Sequence, residues 1–195
     1  HNHEHKHDQN LSKNSLFNAI DKINISTLNE SIIDSSKSVF KPWHERFDYG
    51  EVESNEDIPE LLMFVPFCQV VDVHSIAIVS KDARFCPVVA KIWSNKREIS
   101  TFECVENRES DQKIDLMEDQ NGEIHYSLNR SKFLNVERLA IYFASEEKSK
   151  IAINHIELRG KIKMAKSRAV KTVYEVNRSG SKGLISNAEN KFLVH

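Results

Sequence analysis

The stretch from Phe133 to Gly160, FLNVERLAIYFASEEKSKIAINHIELRG, constrains the fold of this chain more than any other. Leu139, Ile141 and Phe143 alternate, so their side chains share one face of a β-strand and require a core. Glu146-Glu147-Lys148-Ser149-Lys150 is too polar to bury and reads as a turn. On the return strand Ile151 and Ile153 have one parity, and Ile156 and Leu158 have the other. That slip of one residue predicts a β-bulge at Asn154-His155. Gly160 reads as the end of the pairing. A bent hairpin with one apolar face cannot stand alone, so the sequence demands a second sheet to cover it.

The rest of the chain supplies one. Leu61 to Phe67 (LLMFVPF) is apolar on both parities and predicts a strand covered on both faces, with Pro66 at an edge or a bulge. Val70 to Val79 reads as a separate strand with its own change of phase, Val71 and Val73 against Ile76 and Ile78. Val88 to Trp93 follows the Asp82-Ala83-Arg84 turn. Shorter strands are expected around Ile99–Val105, Ile114–Leu116 and Ile124–Leu128, the last preceded by an Asp119-Gln120-Asn121-Gly122 turn. Only Leu16, Phe17, Ile20 and Ile23 show helical spacing, enough for one or two turns. Short strands at regular intervals predict an all-β protein, an antiparallel β-sandwich of the jelly-roll type.

Three segments follow from composition. Residues 1–14 begin HNHEHKHDQN and read as a His-rich disordered segment, residues 15–165 as the sandwich, and residues 166–195 as a basic, flexible tail. His1, His3, His5 and His7 alternate and are weak candidates for a transition-metal site. The first residue is not Met, so this start is left out of the fold reasoning. Charge is unevenly spread. Glu45, Asp48, Glu51, Glu53, Glu56, Asp57 and Glu60 face a single Arg46 within residues 45–60, whereas residues 159–183 carry Lys and Arg with Glu175 as the lone acid. Solvated surface explains both, although the basic segment also suits an acidic partner. Lys41-Pro42-Trp43 precedes the acidic stretch. Pro42 holds Lys41 extended, and Trp43 is expected at the domain edge with its indole N–H near a carbonyl or water.

Cys68, Cys86 and Cys104 form no CxxC and read as reduced, mostly buried thiols, which places the protein in the cytoplasm and nucleus. With no signal-peptide core and no long apolar run, neither secretion nor membrane spanning is expected. There is no phosphate-binding Gly-rich loop, no GxSxG and no HExxH. His44, His74, His125 and His155 are isolated in sequence and read as satisfied core or surface residues rather than ligands. The basic tail has only Tyr174 as an aromatic, so nucleic acid is not an expected partner. The residues point to a protein that is not an enzyme and needs no cofactor.

The ordered series Leu28-Asn29-Glu30-Ser31, Val39-Phe40-Lys41-Pro42-Trp43, Glu60-Leu61-Leu62 through Val65-Pro66-Phe67, Phe133-x-Asn135-Val136, and Ile156-x-Leu158-Arg159-Gly160 resembles the PITH domain. That proteasome-interacting domain lies C-terminal to thioredoxin in some thioredoxin-like proteins and stands alone in short PITH-domain proteins, which this chain resembles more. The resemblance implies a jelly roll similar to galactose-binding-type domains. It also implies association with the 26S proteasome through its regulatory particle. No redox CxxC is present, so the oxidoreductase activity of the fused relatives is not expected. A monomeric, non-catalytic adaptor follows, with Lys41 and Trp43 as partner-binding residues. His195 offers an imidazole and an α-carboxylate, both zinc ligands, and Phe192, Leu193 and Val194 suit an apolar groove. The regulatory particle contains a zinc deubiquitinase, so the tail is expected to reach that zinc in trans. The alternative is a β-sandwich module that binds glycans or peptides.

Overall fold

The computed structural model describes residues 14–145 and 150–165. Its axis is a single strand, β3 (Glu60–Val79), 20 residues long. The expected strands at Leu61–Phe67 and Val70–Val79 are one element that serves two layers. Its first half pairs with β1 (Ser26–Leu28) on one side and β7 (Val136–Ala144) on the other. β7 continues to β4 (Val89–Ser94), and β4 to β5 (Gln112–Asp115), all antiparallel. The second half of β3 pairs with β6 (Tyr126–Ser127) and β9 (His155–Ala165). Between the halves the β3–β7 register jumps from Pro66 to Val71. Pro66 lacks an N–H, which makes it a natural place to break the ladder, and its carbonyl accepts instead from Asp21 N at 2.9 Å. A second irregularity between Val73 and Ser75 produces the phase change seen in the sequence.

The Phe133–Gly160 stretch is two strands, but not a hairpin. β7 and β9 both pair with β3, in different layers. The link between them includes β8 (Ala152–Ile153), which pairs with β2 (Val52–Glu53) as a small separate sheet. The parity change at Asn154-His155 is therefore a change of partner, not a bulge within one strand. Nor does Gly160 end the pairing. It sits opposite Val73, in a ladder that continues to Gln69–Ala165.

The two layers enclose one core. Leu61, Met63, Val65 and Phe67 meet Leu139, Ile141 and Phe143 from β7 and Ile156 and Leu158 from β9. Leu139, Ile141 and Phe143 are fully buried, each contributing about 2 kcal/mol through area removed from water. Leu62 and Phe64 have the other parity and are also covered. They pack with Trp93, Ile99, Val105 and Ala140 under the 95–107 segment. That segment contains the helix α1 (Phe102–Asn107) where a strand was expected from Ile99 to Val105. Thr101 caps it, its hydroxyl accepting from Cys104 N. Short 3-10 turns at Phe17–Ala19 and Lys22–Asn24 match the helical spacing near the start.

Candidate functional site

β9 turns Ile156 and Leu158 toward the core, so His155, Glu157 and Arg159 project from its other face. Trp43 covers them. It opens the 3-10 turn Trp43–Glu45 directly after Pro42 and is only 8% exposed. The indole lies 5.6 Å from the His125 ring and 5.7 Å from the His155 ring, and the Arg159 guanidinium stands 5.0 Å from it. Arg46 reaches back to within 4.4 Å of the same ring. Its guanidinium donates to the carbonyls of Trp43 and Asn121, which locks the turn to the 119–124 loop. Gly122 lies beneath the ring, where an added Cβ would come 2.6 Å from Trp43 Cη2.

This cluster is poorly satisfied. His155 and Glu157 are 0% and 2% exposed, yet His155 Nε2 and Glu157 Oε2 are 3.6 Å apart, and Arg159 Nε and Glu157 Oε1 are 3.8 Å apart. Both separations are too long for hydrogen bonds. Among the described residues, Trp43 Nε1, His125 Nδ1 and both nitrogens of His155 have no hydrogen-bond partner. Burial lowers the pKa of Arg159, against the pull of Glu157. Burial, with Arg159 next in weight, holds His125 below the usual histidine range, while Glu157 and Asp119 oppose it. Buried unpaired polar atoms cost stability. The Trp43 turn is seated on β9 by the ring contacts to His155 and Arg159 and on the 119–124 loop by the Arg46 hydrogen bonds. Among the described residues no group of His, Cys, Asp and Glu is arranged to hold a metal ion.

The sequence placed Trp43 at the domain edge with its indole N–H near a carbonyl or water; the structure buries the ring, and among the described residues no carbonyl accepts from Nε1. His125 and His155, taken singly as satisfied residues, come together on one ring. Lys41 is also interior, at 8% exposure, and Nζ donates to the carbonyls of Asp48 and Tyr49. Burial lowers its pKa, with Lys81 adding to the shift and Asp48 and Glu45 opposing it. Lys41 and Trp43 are thus the props of the acidic loop rather than its contact surface. The loop they support shows Tyr49 and Phe47 to solvent. Beside it, Ser31 N donates to Glu53 O, Asn55 N to Asn29 O, and Asn29 Nδ2 to Ile58 O, so residues 29–38 and 48–58 form one continuous loop face. Ile32, Ile33 and Ile58 are exposed on it. None of these was singled out in the sequence, because an exposed apolar residue in a polar loop carries no periodicity. His1, His3, His5, His7, Phe192, Leu193, Val194 and His195 lie outside the described residues.

The fold defines a class first. It is an antiparallel β-sandwich of the galactose-binding-like type. A structure of the CBM32-1 and CBM32-2 domains of Clostridium perfringens ZmpB matches with TM-score 0.58 at 10% identity, over 82% of this chain and 40% of that one. CBM32-3 from a family 31 glycoside hydrolase of the same organism matches with TM-score 0.51 at 11% identity, over 73% of this chain and 95% of that one. At such identities the likeness concerns the fold alone. The sequence narrows the class: the PITH domain family matches residues 6–178, and the chain belongs to that family. It is 34% identical over 162 residues to PITH domain-containing protein 1 of Dictyostelium discoideum, covering 83% of this chain and 80% of that protein. To the human PITH domain-containing protein 1 it is 38% identical over 130 residues, 66% of this chain and 60% of that protein.

Proposed function

We propose that this chain is a monomeric, non-catalytic adaptor that docks on the regulatory particle of the 26S proteasome, in the cytoplasm and nucleus. Membership of the PITH family supports the partner. The observation that carries the docking reading is the loop face at the Glu60–Ala144 end of the β3–β7 ladder. Ile32, Ile33, Ile58 and Tyr49 stand exposed there among Glu45, Asp48, Glu56 and Asp57. Apolar side chains held in solvent on braced loops are what a protein interface needs at its centre, with charge at its rim. In the sharper form of the proposal, Phe192, Leu193 and Val194 seat the tail in a groove of the particle. The imidazole of His195 then reaches the zinc of its deubiquitinase.

Purified 26S proteasomes test both forms. The wild-type chain should co-sediment with them, and the double variant Ile33→Asp/Tyr49→Ala should lose at least about tenfold in affinity. Deleting Phe192–His195 should weaken binding or change zinc-dependent deubiquitination. No effect of that deletion removes the sharper form, and no binding by the wild-type chain removes the proposal. The rival reading, a glycan-binding module, would use Tyr49 as its stacking platform. A glycan array showing saturable binding that Tyr49→Ala abolishes would establish it instead.

A further inference from the structure

A groove of about 660 Å³ opens at the far end of the β3–β7 ladder, where Pro66 pairs with Arg138. Phe64 and Pro66 form an apolar floor, and the Arg138 guanidinium lies 5.4 Å from the Phe64 ring. Arg97 stands beside it on the rim, exposed. Burial lowers the pKa of Arg138, and the like charge of Arg97 adds to the shift. An arginine stays charged regardless. Two cations are therefore held together on a half-buried surface, and among the described residues neither forms an ion pair with a carboxylate. Among the described residues, Glu137 is the one acid lining the groove.

The frame behind the guanidiniums is rigid. Asn95 and Asn135 both take left-handed backbone conformations, φ +57° and +52°. Asn95 Nδ2 donates to Asn135 O at 3.0 Å, and Asn95 Oδ1 accepts from the backbone N–H groups of Glu137 and Arg138. Asp72 accepts from Asn135 N at 2.9 Å and pairs with Lys163 at the same distance. Asn95 thus fixes the backbone that carries Arg138, instead of leaving it on a mobile loop. The opposite wall is Asn24, at the end of the Lys22–Asn24 turn, and Ser26, the first residue of β1. β1 is an end strand of its sheet, and among the described residues no strand pairs with its outer edge.

We propose that this groove binds an extended acidic peptide, with a carboxylate held across Arg97 and Arg138 and the peptide backbone running beside the open edge of β1. Paired guanidiniums recognise carboxylates through charge-assisted hydrogen bonds. A volume of this size suits a short ligand lying on an apolar floor, and a free strand edge suits an extended backbone. The inference stands independently of the proteasome reading, since the groove and the loop face lie at opposite ends of the β3–β7 ladder.

The test is fluorescence anisotropy with a fluorescein-labelled peptide of alternating Glu and Val, and an alternating Lys and Val peptide as control. The acidic peptide should bind saturably and more weakly as salt rises, and the basic one should not bind. Arg97→Glu should weaken binding by at least about tenfold, with Arg97→Lys falling between it and wild type. Lys113→Glu, an equal change of charge on exposed β5, should have little effect. Circular dichroism confirms that each variant is folded. Equal loss in the Lys113 and Arg97 variants would reduce the effect to net charge and overturn the proposal. So would the absence of saturable binding, or displacement of the peptide by inorganic phosphate at equal concentration. Self-association abolished by Arg97→Glu would overturn the peptide as occupant and assign the groove to the acidic loop of a second copy.

Discussion

Gly160 has no room for a side chain, because a Cβ there would overlap the Asp72 carbonyl on the neighbouring strand. The obstacle is backbone, so the β3–β9 ladder itself would have to part. Gly160→Ala is expected to cost about 3 kcal/mol, the upper range for overpacking, read as a lower urea midpoint. A midpoint equal to wild type would show that the Val73–Gly160 register is wrong. The sequence marked Gly160 but for another reason, as a place where pairing stops. A glycine required by close approach and one that ends a strand look the same in one dimension. A second residue-scale test concerns His125, whose folded pKa lies below its ordinary value. Burial comes first among the causes, then Arg159, with Glu157 and Asp119 opposing, while the His155 ring shares the same indole. The unfolded chain protonates near pH 6.5, before the folded protein does. The unfolded state therefore binds the extra proton, and stability falls as pH drops from about 6.5 toward the folded pKa. His125→Gln should flatten that part of the curve of urea midpoint against pH. An unchanged slope would mean that His125 is as accessible folded as unfolded.

Alternation in the sequence tells a strand which face to bury but not which strand to join, and that limit explains what was legible among the elements. Leu139, Ile141 and Phe143 were assigned to the core correctly, yet β7 was given the wrong partner, because β9 shows the same alternation while belonging to the other layer. α1 was missed because its six residues span less than two turns, too few for the three-residue spacing of Ile99, Phe102 and Val105 to stand out as a helical period. The cluster at Trp43 could not be read at all. Its members are spread from Trp43 through His125 to Arg159, and only the folded layers bring them together. The Asp119–Gly122 turn was visible through its Asn-Gly pair, but its real anchor was not. The buried Asp119 carboxylate accepts from the backbone N–H groups of Asn121, Gly122, Glu123 and Ile124, at 2.7 to 3.1 Å. Asp119→Ala would orphan all four donors and loosen Gly122 from the face of Trp43. The expected cost is about 3 kcal/mol, given the strength of hydrogen bonds to a charged acceptor. In a Trp93→Phe background, Trp43 emission should also shift to the red. Unchanged stability and emission would mean that the turn holds its shape without the carboxylate.

At the scale of the molecule, the consequence of building both layers on one strand is cooperativity. β3 pairs with β1 and β7 through its first half and with β6 and β9 through its second, so neither layer can lose β3 without disrupting the other. The shared core runs from Leu61 through Leu139 to Leu158 with no break between layers. The two tryptophans report on different parts of this arrangement. Trp93, on β4, joins the satellite cluster on the outer face of the β1–β3–β7–β4–β5 layer, with its indole N–H donating to Glu109 O at 2.9 Å. Trp43 lies against β9 in the other layer. Removing either one alters stability, so the comparison belongs within each variant. In Trp93→Phe the Trp43 emission, and in Trp43→Phe the Trp93 emission, should follow the same urea transition as far-UV circular dichroism of that variant. Coincidence in both chains is the expected outcome. If Trp43 emission changes at lower urea than the circular dichroism, the turn that braces the acidic loops is a separate unit that opens first. The proposed docking face would then be a mobile element rather than a rigid one, and any affinity for a partner would carry the cost of ordering it.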